Sequence, residues 1–334
     1  MAGADTSNDP HYNERWILFV LATVQFITLV DFMIVMPLGP QLMRVLQIGP
    51  GAFGLIVSSY TFAAGAAGLV ASALVDRYSR KSAFLVLYAG FILGTFLCGL
   101  APNYVLLVLA RVLTGAFGGI LGGLSMAIIG DVFPDSRRGH ATGALMTGFA
   151  IASVIGVPFG LVIGNQFGWN MAFIALAGLG TPIFFLAASV LPRMNGHLGE
   201  AHVHPLESLR RTFTVGGHLN AFALIMALTC SGFLIFPYLS AFYVNNLGIS
   251  ERQLPWVYVV GGGLTFVASP LIGRWADRAG KLFVFRVIAP LSAGLMIVIT
   301  HLEAVGMLLA IVIVGGLMVC NGGRRIPAMA LITA

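Results

Sequence analysis

Ten predominantly apolar runs of about 20 residues, the length of helix that crosses a bilayer core, occupy most of this chain. They lie near 15–38, 51–75, 82–100, 104–131, 141–165, 170–192, 218–244, 253–275, 282–300 and 304–328. Unpaired backbone groups are too costly in hydrocarbon for open strands or loops, so every run is expected to be an α-helix. Composition agrees: 58% of the 334 residues are hydrophobic and only 9% are charged, whereas about a quarter are charged in a soluble domain. The fold class expected is therefore an all-α membrane protein. The first run carries Asp31 and has no small-residue cleavage site, so it is a retained span and not a signal peptide.

Lys and Arg in the connections set the orientation. With the N-terminus in the cytoplasm, fifteen fall on the inner side and only Arg44 and Arg252 on the outer, a strong positive-inside bias. The polar residues 1–14 then form a cytoplasmic tail, 15–192 a six-helix half, 193–217 a cytoplasmic linker, and 218–334 an incomplete half of four helices. The net charge of +6 comes from short clusters between apolar runs and not from one basic face, which argues against nucleic acid as a partner. Cys98, Cys230 and Cys320 each sit inside an apolar run and read as small hydrophobes. Neither a metal nor a cofactor is expected: His202 and His204 lie in the linker with no further ligand at metal spacing, and no phosphate loop or catalytic triad is present.

A dense ionic knot occurs twice. Asp76-Arg77 follows the second run and Asp277-Arg278 the eighth, 201 residues later. The register extends backwards, with Leu46-Gln47-Ile48 over Leu247-Gly248-Ile249 and Pro37 within one residue of Pro237. An offset kept over that distance indicates an internal duplication. In membrane proteins a tandem repeat of this size points to a transporter, two half-bundles rocking about a site between them.

Residues 72–81, Ser-Ala-Leu-Val-Asp-Arg-Tyr-Ser-Arg-Lys, resemble the inner-loop motif Gly-x-Leu-Ala-Asp-Arg-x-Gly-Arg-Lys of the major facilitator superfamily, with Ser72 and Ser79 in place of its glycines. Residues 273–281, Gly-Arg-Trp-Ala-Asp-Arg-Ala-Gly-Lys, fit it more closely. Arg111 to Gly115, with Gly118 and Gly119, is similar to the helix-four motif of that superfamily. Gly148 with Ser153 to Gly160 resembles the helix-five motif of its exporters, with Val157 inserted between Gly156 and Pro158. The resemblance implies a major facilitator-like bundle and implies that Asp76 faces an eleventh span. That family has twelve spans, and this chain ends at Ala334 just after the tenth. The expectation is a truncated product or a fragment that by itself transports poorly or not at all.

Asp76, Arg77, Arg80, Asp131, Asp277, Arg278 and Lys281 place opposite charges at the inner boundary. Such a network can hold one packing of the bundle and break in another, as a cytoplasmic gate does. Anchoring topology is the competing role, which Arg alone would fill without Asp.

Within the membrane an ionisable residue needs a reason. Asp31 and Arg111 each lie about seven residues from the outer end of the first and fourth runs, hence at a similar depth of roughly 10 Å, and could pair. Gln25, Thr28 and Asp31, spaced by three, make a polar stripe expected to face a cavity. A carboxylate there can switch charge with its distance from a cation, which suits proton coupling; a static ion pair between helices is the alternative. Proton-driven exporters of the superfamily resemble this arrangement. Gly148, Gly156 and Gly160 allow close packing of helix five, and Pro158 bends it. Phe233, Phe236, Tyr238, Phe242, Tyr243, Trp256 and Tyr258 either line an aromatic pocket or belong to an interfacial belt.

The function read from all this is a non-enzymatic, monomeric, proton-coupled secondary exporter in the plasma membrane, moving small amphipathic solutes such as drug or sugar-like compounds by alternating access. The alternatives are a symporter importing a sugar or organic acid, and a non-transporting truncated relative.

Overall fold

The computed structural model describes residues 13–74, 77–192, 194, 214, 216–302 and 307–332. Those residues form helices and connecting turns only: α1 (Glu14–Ile34), α2 (Gly39–Leu46), α3 (Pro50–Leu74), α4 (Arg80–Leu100), α5 (Tyr104–Val132) and α6 (Asp135–Ile151). A π-turn (Ala152–Gly156) leads into α7 (Val157–Phe167), followed by α8 (Trp169–Val190) and α9 (Gly216–Phe233). A 3-10 turn (Phe236–Tyr238) precedes α10 (Leu239–Asn245), and the chain continues through α11 (Leu254–Ala279), α12 (Lys281–Thr300), α13 (Met307–Gly323) and α14 (Arg325–Ile332).

Nine helical stretches among the described residues are long and apolar enough to cross a membrane. The tenth expected run is represented by α13, 17 residues, and its start at 304–306 lies outside the described residues, as does nearly all of the expected linker 193–217.

Proline and polar residues shift the boundaries. Proline lacks an amide donor and its ring clashes with the preceding turn. Accordingly α1 stops at Ile34, before Pro37, and the seventh expected run breaks at Pro237 into α9 and α10. The fifth starts six residues early, at Asp135, because its first turn is polar but compatible with a helix. The two ionic knots also differ in local form. The second is helical through Ala279, and α11 ends only at Gly280, whose φ of 96° suits glycine alone. In the first, α4 begins at Arg80, capped by the Ser79 hydroxyl, which accepts from the Ser82 amide at 3.2 Å.

Two packed regions result. In the first, α5 packs against α3 and α4, and α8 against α1 and α4. In the second, α11 and α12 pack on α13. The regions meet where α7 and the π-turn lie on α11, and where α2 touches α10. One buried cluster, including Ile34, Phe53, Trp169, Tyr243, Val257 and Leu317, draws residues from both regions. Arg80, Asp131, Arg137 and Arg278 mark a basic end of the bundle; α2, α10 and the turn before α11 lie at the opposite end.

Candidate functional site: a buried ion pair beside a cavity

Arg111 on α5 reaches α1. Its Nη1 donates to Asp31 Oδ2 at 2.7 Å and, more weakly, to the Asp31 backbone carbonyl at 3.4 Å. Thr95 on α4 donates through Oγ1 to the other carboxylate oxygen at 3.1 Å. Asp31 and Thr95 are inaccessible, as is Arg111. Tyr60 on α3 covers the guanidinium, its ring centroid 4.4 Å from Arg111 Cζ. A desolvated cation over an aromatic face is worth about 2 kcal/mol, which matters here because Arg111 Nε and Nη2 have no acceptor among the described residues. The carboxylate is thus held by one guanidinium nitrogen and one hydroxyl, not by a two-pronged clamp.

Small residues make this approach possible. A Cβ at Gly115 would strike the Tyr60 carbonyl, and one at Gly119 would strike Ala64. The helix-four glycines therefore let α3 lie close enough to α5 for Tyr60 to cover Arg111. Thr114, four residues before Gly118, bonds back to the Ala110 carbonyl at 2.7 Å and approaches Cys98 Sγ at 3.6 Å.

A cavity of about 230 Å³ adjoins the pair, lined by Gln25, Thr28, Leu29 and Phe32 of α1, by Tyr60, Thr61 and Ala64 of α3, and by Gly118, Gly119 and Gly122 of α5. The polar stripe expected on α1 therefore divides: Gln25 and Thr28 face the cavity, whereas Asp31 does not line it. Helix geometry explains the split. At about 100° per residue, each step of three drifts about 60°, so Gln25 and Asp31 point about 120° apart. Tyr60 is shared by the cavity wall and the ion-pair cluster. It was invisible to a search for charges, as were Thr95 and Thr114, because a single hydroxyl in an apolar run gives no periodic signal.

At the basic end the expected network is only partly assembled. Arg80 Nε meets Asp131 Oδ2 at 3.2 Å. Asp76 lies outside the described residues, and Arg77 is exposed. Asp277 and Arg278, expected in the gate, are exposed on the last turn of α11 and form no ion pair among the described residues; the helix that continues through them turns them outward. Lys281 Nζ instead donates to the Ala330 carbonyl at 3.1 Å. An unforeseen link joins the N-terminus of α1 to α6, where Arg137 Nη1 meets Glu14 Oε2 at 2.7 Å. Arg138 caps the end of α5, donating to the Gly130 and Phe133 carbonyls at 2.7 and 3.0 Å.

The helix-five residues lie along α1. Gly148 backs onto the Ala22 carbonyl, Gly156 onto Val30 and Gly160 onto Ile34. Buried Pro158 sits in the first turn of α7, immediately after the π-turn. At the opposite end Arg44 grips Glu251 with two bonds, 2.6 and 3.1 Å, joining the two regions; Asn165 Nδ2 donates to the Glu251 carbonyl at 2.7 Å. The hydrogen bonds from Arg44 to the Glu251 carboxylate, and then its charge, hold the Arg44 pKa above its ordinary value. The aromatic residues of the second region do not form one pocket. Tyr238 and Phe242 line a cavity of about 590 Å³ at that end, Tyr243 is in the core, Tyr258 bonds Ser240 at 2.7 Å, and Trp256 faces outward.

Comparison with known proteins bears on the whole chain. The family model described as Major Facilitator Superfamily matches residues 21–334. The "Uncharacterized MFS-type transporter YtbD" of Bacillus subtilis (strain 168) is 28% identical over 275 residues, 82% of this chain and 66% of that protein. The chain thus spans just under two thirds of that relative's length. Among solved structures it superposes on a bacterial homologue of the human lysosomal transporter Spinster. In the inward-facing, unoccupied form the TM-score is 0.74 at 15% identity, covering 97% of this chain and 76% of that one. In the occupied form the TM-score is 0.69 at 15% identity, with 96% and 74% covered. At such identity the likeness concerns the fold.

Proposed function

Because this chain belongs to the Major Facilitator Superfamily, a family of multi-pass membrane transporters, we propose that it is a proton-coupled exporter of small amphipathic solutes, working by alternating access in the plasma membrane with its N-terminus in the cytoplasm. The observation that carries this reading is a fully buried Asp31–Arg111 pair standing directly behind the wall of a cavity of about 230 Å³.

Protonation of Asp31 would remove its charge and weaken the bond to Arg111, leaving a desolvated guanidinium with Tyr60 and no carboxylate. The two charge states of the pair therefore favour different packings of α1, α4 and α5, which is the requirement for coupling a proton to a conformational change. Solute in the cavity presses on Thr28, Phe32 and Tyr60, beside that pair, so occupancy and protonation compete for the same side chains. Helix five, laid on α1 through its glycines, is the feature that favours export over import, by its resemblance to the exporter motif. Arg44–Glu251 joins the two regions and is a contact that opening at that end would break, whereas Arg80–Asp131 braces α4 on α5 within the first region at the basic end.

The test is flux into proteoliposomes under an imposed pH gradient, with the solute chosen from efflux-dependent resistance. Asp31→Asn is expected to abolish gradient-driven accumulation while leaving the protein folded and solute binding within a few fold. Undiminished accumulation in Asp31→Asn would sink the proposal.

A further inference from the structure

The second region contains an arginine that the Asp31–Arg111 mechanism does not use. Arg324 is 5% exposed and lies at the turn between α13 and α14. Sequence reading places it at the inner boundary, but Lys281 meets α14 at Ala330, six residues further on, about 9 Å along a helix. Arg324 is therefore inside the bundle. Its Nη2 donates to Ser231 Oγ at 2.7 Å, to Asn321 Oδ1 at 3.3 Å and to the Leu228 carbonyl at 3.4 Å, all neutral acceptors. Arg324 Nε and Asn321 Nδ2 are buried with no acceptor among the described residues. Among the described residues no carboxylate stands within ion-pairing distance of Arg324 or of its neighbour Arg325.

The internal repeat shows what is missing. At the 201-residue offset Thr28 falls on Thr229, Phe32 on Phe233, Ile34 on Ile235 and Leu38 on Leu239, and Asp31 falls on Gly232. Gly232 is beside the neighbouring arginine and the Asn321 amide: a Cβ there would stand 3.6 Å from Arg325 Nη2 and 3.6 Å from Asn321 Oδ1, ordinary contact distances. The first copy thus has an acid facing its guanidinium, whereas at the matching place the second has a glycine beside the Arg325 guanidinium and the Asn321 amide that holds Arg324. Phe233, next in sequence, touches Phe32 with ring centroids 5.9 Å apart, and Phe32 lines the cavity beside the ion pair. The orphan donors and the cavity are therefore neighbours through one pair of rings.

We propose that Arg324, Arg325 and Asn321 form an anion subsite that takes the carboxylate of the transported solute, in the place that the Asp31 side chain fills in the first copy. The inference rests on the transporter reading above and narrows its substrate class to amphipathic acids. The apolar body lies in the cavity, whose lining carries no charged residue, and the acid group accepts from Arg324 Nε and Asn321 Nδ2. Arg325 is exposed, so its side chain can swing from Gly232 and admit the anion. A desolvated guanidinium with unmatched donors binds an oxyanion strongly and rejects its neutral isostere, because the isostere leaves the cation unbalanced.

Thermal unfolding of the full chain in a non-ionic detergent tests this without any ion gradient or flux, so its failure is separable from failure of proton coupling. The probes are benzoate, octanoate and inorganic phosphate, with benzamide as neutral match and sodium chloride at equal ionic strength. A concentration-dependent rise in Tm with at least one of the three anions, absent with benzamide and chloride, is expected. Arg324→Gln should lose the response. Gly232→Asp, which tethers a carboxylate where the anion would sit, should raise Tm without ligand and also lose the response. No response to any of the three, equal response to benzamide, or an undiminished response in Gly232→Asp would overturn the proposal.

Discussion

Two buried guanidinia in one bundle have opposite surroundings. Arg111 faces Asp31 at 2.7 Å, with Tyr60 stacked on its face; Arg324 faces a serine, an amide and a backbone carbonyl. Insertion scales put a cation at a helix centre at a cost of about 2.5–3.5 kcal/mol, so both need compensation. The first obtains it from its own chain, and the second is left with donors unmatched. The contrast separates a charge pair that serves the protein's internal equilibrium from a charge that is open to a visitor.

Truncation at either arginine should therefore have unequal consequences. Removing one partner of a buried ion pair costs about 3–5 kcal/mol, so Arg111→Met is expected to lose that much stability by chemical unfolding in mixed micelles, and Asp31→Ala a similar amount. Arg324→Met should leave stability unchanged or raise it, since an uncompensated buried charge is removed. Equal losses at the two positions would erase the distinction. Next in size is the coupling within the first pair. The double variant Asp31→Ala with Arg111→Met should be less damaging than the two single losses added, by about 1–3 kcal/mol, and simple additivity would show that the short contact carries no energy. The smallest effect belongs to the end pairs. Arg80→Ala and Arg44→Ala remove contacts that are partly exposed, and each is expected to cost under about 1 kcal/mol, shrinking further between about 0.05 and 0.5 M salt as screening grows.

Much of this arrangement could be read from the chain because hydrocarbon allows few options. Apolar length gave the helices, and the cost of intramembrane charge singled out Asp31 and Arg111, which the fold brings together. The unreadable part was rotational. Gln25 and Asp31 belong to one stripe on paper yet point to different neighbours, because spacing by three drifts around a helix of 3.6 residues per turn. Asp277 and Arg278 repeat the first knot in letters, but α11 stays helical through them and turns both outward. Arg324 shows the converse: a charge near an expected boundary was counted as inner-side, and only the continuation of α14 to Ile332 reveals that it is enclosed.

Helix five carries its own stored alternative. The π-turn at Ala152–Gly156 winds one residue more into its loop than an α-helix would. Were that surplus residue to be taken up as regular helix, everything beyond it would rotate by about 100° about the axis, swinging Gly156, Gly160 and Gly164 off Val30, Ile34 and Leu38. The notches that seat helix five on helix one would then have to find new partners, so the seating of its glycines opposes regularising the turn.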